Sequence, residues 1–218
     1  VKQQGRYNVS HLIEAQFEPG SRGRVLKNKL GIKRKREMDR LEKKELVRTL
    51  EKTYEIYDRQ HRFKEADIRN IHKIWLGDIY EWAGEYRQVN LSKGDFSFAA
   101  SAQIPQLMKE FERGPLRKYT PCIYDSHDRV AEALAVVHTE LILIHPFREG
   151  NGRIARILAI LMALQAGLPP LDFSGVIGKK KQQYIEAVQA GMDRNYKPME
   201  EFFRYVIRRT LRIRGQEK

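Results

Sequence analysis

The sequence predicts an all-α protein, a helical bundle with one β-hairpin. Two observations carry this: beyond residue 37, apolar residues recur at three- and four-residue steps in most of the chain, and apolar/polar alternation is confined to residues 85–99. A third supports it: the chain has neither internal repeats nor low-complexity sequence, so the helices form one array, not a solenoid.

The elements follow in chain order. Residues 1–37 lack periodic apolar spacing and hold Gly5, Pro19-Gly20 and Gly23, so they read as a loop-rich arm with one short helix near 10–16. Met38, Leu41, Leu46, Leu50, Tyr54 and Tyr57 then mark a helix over 38–57, and a second helical pattern covers 64–80. In 85–99, Val89 and Leu91 alternate with polar residues, Ser92-Lys93-Gly94-Asp95 supplies a turn, and Phe96 and Phe98 resume the alternation. Helical spacing returns over 101–113, and a proline-containing loop is expected over 114–121. Val130, Leu134, Val137, Leu141 and Ile144 define a central apolar helix over 125–144, which Pro146 ends. The next helix starts within Gly150-Asn151-Gly152 and runs to Gln165, burying Ile154, Ile157, Leu158, Leu161 and Leu164. Helices over 179–193 and 198–212 complete the bundle.

Composition bounds the function. At 218 residues, 41% hydrophobic, with ten Tyr, nine Phe and two Trp, the chain can bury one substantial core. The expected organisation is an arm over 1–37, a domain over 38–213 and a tail over 214–218. A lone Cys122 excludes an internal disulfide and a multi-cysteine zinc site, and points to a reducing compartment. The first residues lack the apolar core of a signal peptide and no apolar run reaches membrane-span length, so a cytoplasmic location without a membrane span is expected. The net charge of +13 favours acidic surfaces, nucleotides or nucleic acid without choosing among them. Its main clusters, over 22–36 and 204–214, read as solvated basic faces.

The chemistry concentrates between the two apolar helices, in His145-Pro146-Phe147-Arg148-Glu149-Gly150-Asn151-Gly152-Arg153-Ile154-Ala155-Arg156. A Gly-Asn-Gly turn feeding a helix N-terminus lets backbone N–H groups converge on an anion, since no Cβ blocks approach and the helix dipole favours negative charge. Arg153 and Arg156, three apart, share a helix face and can reach adjacent phosphates. Glu149 can hold Mg²⁺ together with substrate phosphates. His145 can take a proton from an attacking hydroxyl at neutral pH. His138, seven residues before His145, suggests a metal site with His145 and Glu149, but the three lack a recognised metal-ligand spacing, and His138 is read as structural.

These residues resemble a known family. The segment from His145 to Arg156 is similar at every fixed position to the signature His-x-Phe-x-(Asp/Glu)-Gly-Asn-Gly-Arg-x-x-Arg of Fic domain proteins, of the Fic/DOC superfamily. Ile79-Tyr80-Glu81-Trp82-Ala83-Gly84-Glu85-Tyr86-Arg87 with Lys93-Gly94 resembles the family's approach to its flap, and the similarity spans roughly residues 40–205. The resemblance implies a Fic-type helical bundle whose β-hairpin flap lies over the active site. It implies transfer of AMP from ATP to a hydroxyl side chain of a target protein, releasing pyrophosphate, with Mg²⁺ as cofactor and ATP as co-substrate. His145 is then the general base and Glu149 the metal ligand. Gly150, Asn151 and Gly152 form the phosphate-binding turn, Arg153 and Arg156 bind the β- and γ-phosphates and act in catalysis, and Phe147 anchors the loop. Val89, Asn90, Leu91, Lys93 and Gly94 form the flap edge that docks the target by strand addition. Tyr80 and Trp82 are read as core aromatics supporting the hairpin.

The resemblance also raises restraint. Ser10-His11-Leu12-Ile13-Glu14-Ala15 is similar to the family's inhibitory Ser/Thr-x-x-x-Glu-Gly/Asn pattern, with Ala15 where Gly or Asn is usual. It implies that Ser10 and Glu14 belong to an inhibitory helix in which Glu14 pairs with Arg156. Other family members are restrained by a small antitoxin protein, and some are delivered into a host cell; the sequence leaves these alternatives open. Other transfers of the same fold, of UMP or phosphocholine, or AMP removal, remain alternatives, as does a basic nucleic-acid-binding regulator. No helix-turn-helix, zinc or RNA-binding signature supports that last reading, so nucleic acid is not the expected partner.

Overall fold

The structure, a computed structural model, describes residues 11–94 and 96–215. Ser10 therefore lies outside the described residues. The chain forms helices α1 (Lys35–Ile56), α2 (Glu65–Leu76), α3 (Ile104–Phe111), α4 (Arg117–Tyr119), α5 (His127–Ile144), α6 (Asn151–Gln165), α7 (Gly178–Ala190) and α8 (Lys197–Ile213). One antiparallel hairpin, β1 (Ser92–Lys93) and β2 (Phe96–Ser97), lies between α2 and α3. Among the described residues, no helix is long and apolar enough to cross a membrane.

Helix α5 is the axis and packs against α6 and α8. Its start is fixed by Ser126, whose hydroxyl accepts Arg129 N–H at 3.2 Å. Its buried residues, among them Val130, Leu134, Val137, Leu141 and Ile144, surround it instead of lining one stripe, as they do on α6. Burying each Val, Leu or Ile contributes about 1.5–3 kcal/mol, so the two helices flanking the polar loop form its rigid base. Helix α2 starts with Lys64 N–H donating to Asp67 Oδ2 at 2.8 Å and lays Ile68, Ile71, His72, Trp75 and Leu76 inward toward α6.

Three expectations need correction. The hairpin is shorter than 85–99, because pairing is limited to Ser92 with Ser97 and Lys93 with Phe96, followed by Phe98 N–H to Leu91 O at 3.1 Å. The expected loop over 114–121 is helical through most of its length: the chain widens into π geometry over Glu112–Leu116, which accommodates Pro115, and reaches Tyr119 in α4. On α1 the fully buried residues are Met38, Glu42, Thr49 and Thr53, with Leu41, Leu46 and Leu50 packed partly buried against the core, while Tyr54 is exposed. In the arm, the short helix is a 3-10 turn over Ile13–Ala15, and Val25 joins the common core.

Candidate active site

The loop leaves α5 through His145, which takes left-handed geometry (φ 52°, ψ 58°) at the helix C-cap; the following Pro146 disfavours a further α-helical residue there. The imidazole Nδ1 lies 3.1 Å from Ile142 O, an acceptor only, so Nδ1 carries the proton and Nε2 keeps its lone pair. The ring stacks on Phe98 of the flap, with centroids 3.6 Å apart and planes at 19°. Burial pushes its pKa down to about 4, with the Ile142 carbonyl acting in the opposite direction and Arg87 adding to the fall. The result is a neutral, oriented base across the physiological range.

Phe147 is fully buried and stacks on His72 at 3.9 Å and 7°, as a loop anchor should. His72 is itself saturated: Nε2 donates to Glu149 O at 3.1 Å and Nδ1 accepts Gly84 N–H at 2.8 Å, and burial lowers its pKa to about 3. Asn151 braces the turn from within, accepting Phe147 N–H and donating to Phe147 O, both at 2.8 Å. Its side chain is thus spent on the loop; what α6 offers an anion are the amides of Asn151 and Gly152, ahead of the first internal bonds from Arg153 N–H and Ile154 N–H to Gly150 O. Gly150 has φ 85°, and a Cβ there would stand 2.5 Å from the Trp75 ring, so the turn needs glycine on two grounds. At Gly152 a Cβ would meet nothing within 4 Å, which leaves open space beside the helix N-terminus.

The two motif arginines are held differently. Arg153 sits over Trp75 at 4.5 Å, donates through Nη1 to Glu42 Oε2 at 2.8 Å and through Nη2 to Glu149 Oε1 at 3.1 Å. Glu42 is buried on α1, and its Oε1 accepts the Tyr80 hydroxyl at 2.8 Å. Arg156 is exposed, lies over Phe173 at 5.8 Å, and makes no ion pair among the described residues. Glu149 is half exposed, with Oε1 also accepting Gly150 N–H at 2.9 Å. Among the described residues, no cluster of three His, Cys, Asp or Glu could hold a metal. His138 is buried between Ala155 O (3.2 Å) and the Tyr184 hydroxyl (3.0 Å).

The flap is tied to the loop by Arg87, which is 1% exposed. Its Nε donates to His145 O at 2.7 Å, and Nη1 and Nη2 to Val89 O and Ala99 O, both at 2.6 Å. Burial lowers its pKa to about 10, so it stays charged at neutral pH. Val89 is buried and its N–H goes to Glu14 Oε1 at 3.0 Å, so it cannot extend a docking edge; Asn90, Lys93 and Gly94 are exposed and Leu91 partly so. Glu14 is not paired with Arg156, contrary to the pairing expected for an inhibitory helix: the cations acting on it are Arg148 and Arg87, and its carboxylate caps backbone amides. Tyr80 and Trp82 are buried and mutually stacked at 4.5 Å.

Sequence reasoning missed Glu42, His72, Arg87, Trp75 and Phe98 as parts of this site. Glu42 lies four residues after Met38, on the inward stripe of a helix dense in charge, the one signal that could have singled it out.

Residues 62–163 match the Fic/DOC family. Protein adenylyltransferase VbhT of Bartonella schoenbuchensis is 32% identical over 145 residues, covering 66% of this chain and 30% of that protein. The probable protein adenylyltransferase Fic of Escherichia coli is 31% identical over 128 residues, 57% of this chain and 60% of its own length. The chain thus spans less than two thirds of these curated relatives. Among solved structures, BepC, a VirB-translocated effector of Bartonella tribocorum with bound AMPPNP, superposes with TM-score 0.65 at 27% identity, over 83% of this chain and 91% of that one. With its helical bundle, short flap and motif loop assembled between α5 and α6, this chain is similar to Fic domain proteins, and its residues 62–163 match the Fic/DOC family.

Proposed function

We propose that this protein transfers AMP from ATP to a hydroxyl side chain of a target protein. The observation that supports the reading is an oriented base close in sequence to a helix start: His145 donates Nδ1–H to Ile142 O, which leaves Nε2 with its lone pair, one short loop away from the first amides of α6. The names of the curated relatives support the same activity.

His145 Nε2 takes the hydroxyl proton as that oxygen bonds to the α-phosphorus; the bond from the α-phosphorus to the bridging oxygen breaks, and pyrophosphate leaves with its electron pair. The Asn151 and Gly152 amides and the exposed Arg156 oppose the charge on the departing phosphates. Arg153 joins them through Nη2 once Glu149 releases it, still anchored by Glu42. Glu149, a half-exposed carboxylate beside the turn, suits Mg²⁺, which takes one or two protein carboxylates and fills its remaining positions with water and phosphate oxygens. Bound there, the ion would neutralise phosphate charge. The exposed edge at Leu91 and Lys93 docks the target backbone, and Arg87 links that edge to His145. The effector relatives make delivery into a host cell part of the reading.

The test incubates wild type and His145→Ala with Mg²⁺, ATP labelled at the α- or γ-phosphate, and a cell extract. Wild type should label protein from the α position only, and His145→Ala should lose at least about a hundredfold in rate, as removal of a general base does. Labelling from the γ position, or equal labelling by the variant, would refute the proposal.

A further inference from the structure

Glu14 occupies the position at which the family resemblance implies a brake, yet its carboxylate is engaged elsewhere. It is 5% exposed, and Oε1 accepts Gln88 N–H at 2.7 Å and Val89 N–H at 3.0 Å. Those residues lead directly into the flap. The carbonyl of Glu14 accepts Arg148 Nε–H at 2.8 Å, and Arg148 lies within the loop that begins at His145. One residue of the arm therefore grips the root of the flap with its side chain and the catalytic loop with its backbone. Arg87, beside it, bonds both ends of the flap and the His145 carbonyl, and is one of the two cations acting on Glu14.

We propose that Glu14 is a positioning residue that fixes the flap root against the catalytic loop, so that losing its side chain lowers target modification instead of releasing it. Its effect on activity rests on the adenylyltransferase reading; the contact itself does not. Without the carboxylate, two amides at the flap root lose their acceptor in a setting that offers no strand partner, and Arg87 and Arg148 lose a shared counter-charge. The flap that carries Phe98 onto His145 and presents Leu91 and Lys93 then keeps Arg87, the Ala99 N–H bond to Leu143 O and the Phe98 stack, but loses its tie to the arm. Nothing in this arrangement touches the Asn151 and Gly152 amides, so nucleotide binding stays as it was.

The experiment uses the full chain in two forms, Glu14→Ala and Glu14→Gln. Residue-resolved amide hydrogen exchange without nucleotide reads the contact. Exchange at Gln88 and Val89 should accelerate about tenfold or more in Glu14→Ala, with Glu14→Gln, which keeps an acceptor oxygen, between it and wild type. In parallel, label transfer from α-labelled ATP to a fixed bacterial lysate is followed against ATP concentration. The maximal rate should fall about tenfold in Glu14→Ala while the KM for ATP stays within about twofold. A brake residue would act with the opposite sign, raising the rate and lowering the KM for ATP, and that result overturns the proposal. So does unchanged exchange at both amides, or faster exchange with an unchanged transfer rate. Should Glu14→Ala fail to fold, Glu14→Gln decides by the same readouts. Should the wild type transfer no label, the adenylyltransferase reading fails, and the exchange rates alone uphold or overturn the contact.

Discussion

Glu42→Ala is the sharpest probe of how the site is held together. The side chain is 4% exposed, and its two oxygens serve different partners: Tyr80 at one, Arg153 at the other. Removing one member of a buried ion pair costs about 3–5 kcal/mol, because the other charge stays behind without compensation. Arg153 is 31% exposed and keeps Glu149, which places the ionic part at or below the low end of that range. The buried Tyr80 hydroxyl also loses its acceptor, a loss of about 1–3 kcal/mol that does not add fully because both partners share one carboxylate. A total near 3 kcal/mol follows, and at about 2–4 °C per kcal/mol for a chain of this size the melting temperature should fall by about 6–12 °C. Glu42→Gln, which keeps an acceptor for one partner, should lose about half as much. Thermal unfolding followed by circular dichroism at neutral pH measures both. If Glu42→Ala melts within about 2 °C of wild type, the buried carboxylate is not the anchor of Arg153 inferred from the geometry.

Three further outcomes follow from the same structure. With a His145 pKa near 4, the ring stays neutral and competent as a base well below the pH at which a free imidazole protonates, so the acid limb of AMP transfer should lie near pH 4; a midpoint near 6.5, measured at saturating ATP, would contradict the burial argument. His72 and His138 have pKa values of about 3 and 4, so from pH 6.5 downward the unfolded chain binds protons that the native chain refuses. These histidines should therefore lower stability as pH falls through that window, by up to about 1.4 kcal/mol per unit each, and urea titrations at pH 7 and 5 test the sign. Gly150→Ala places a Cβ 2.5 Å from Trp75 at φ 85° and should abolish AMP transfer and cost at least about 1–2 kcal/mol, whereas Gly152→Ala, with nothing within 4 Å, should leave stability unchanged and weaken nucleotide binding; comparable melting of the two variants would refute the distinction.

The sequence by itself determined the elements whose signal is local. The apolar periodicity of α5 and α6 made them core helices, and the His145 to Arg156 loop could be read because its chemistry lies within one contiguous run, with a base, a carboxylate, a glycine turn and two cations in order. The anchor role of Phe147 came from the family resemblance, and its full burial is consistent with an apolar ring among polar neighbours.

Tertiary structure alone decided which partners those groups received. Glu42 meets Arg153 across 111 positions, Glu14 meets Gln88 across 74, and Arg87 meets His145 across 58. A glutamate on a highly charged helix has nearly the same local pattern whether it faces solvent or a guanidinium of another helix, so the place of Glu42 on the inward stripe of α1 hinted at burial but not at its partner. Val89 fits the alternation of a flap strand, yet its amide is taken by a carboxylate that arrives from the arm, and the paired hairpin shrinks to residues beyond its reach. The periodicity of a chain records which faces are apolar, but a buried polar group is satisfied by whatever folding brings beside it, and that juxtaposition exists only once the helices have packed.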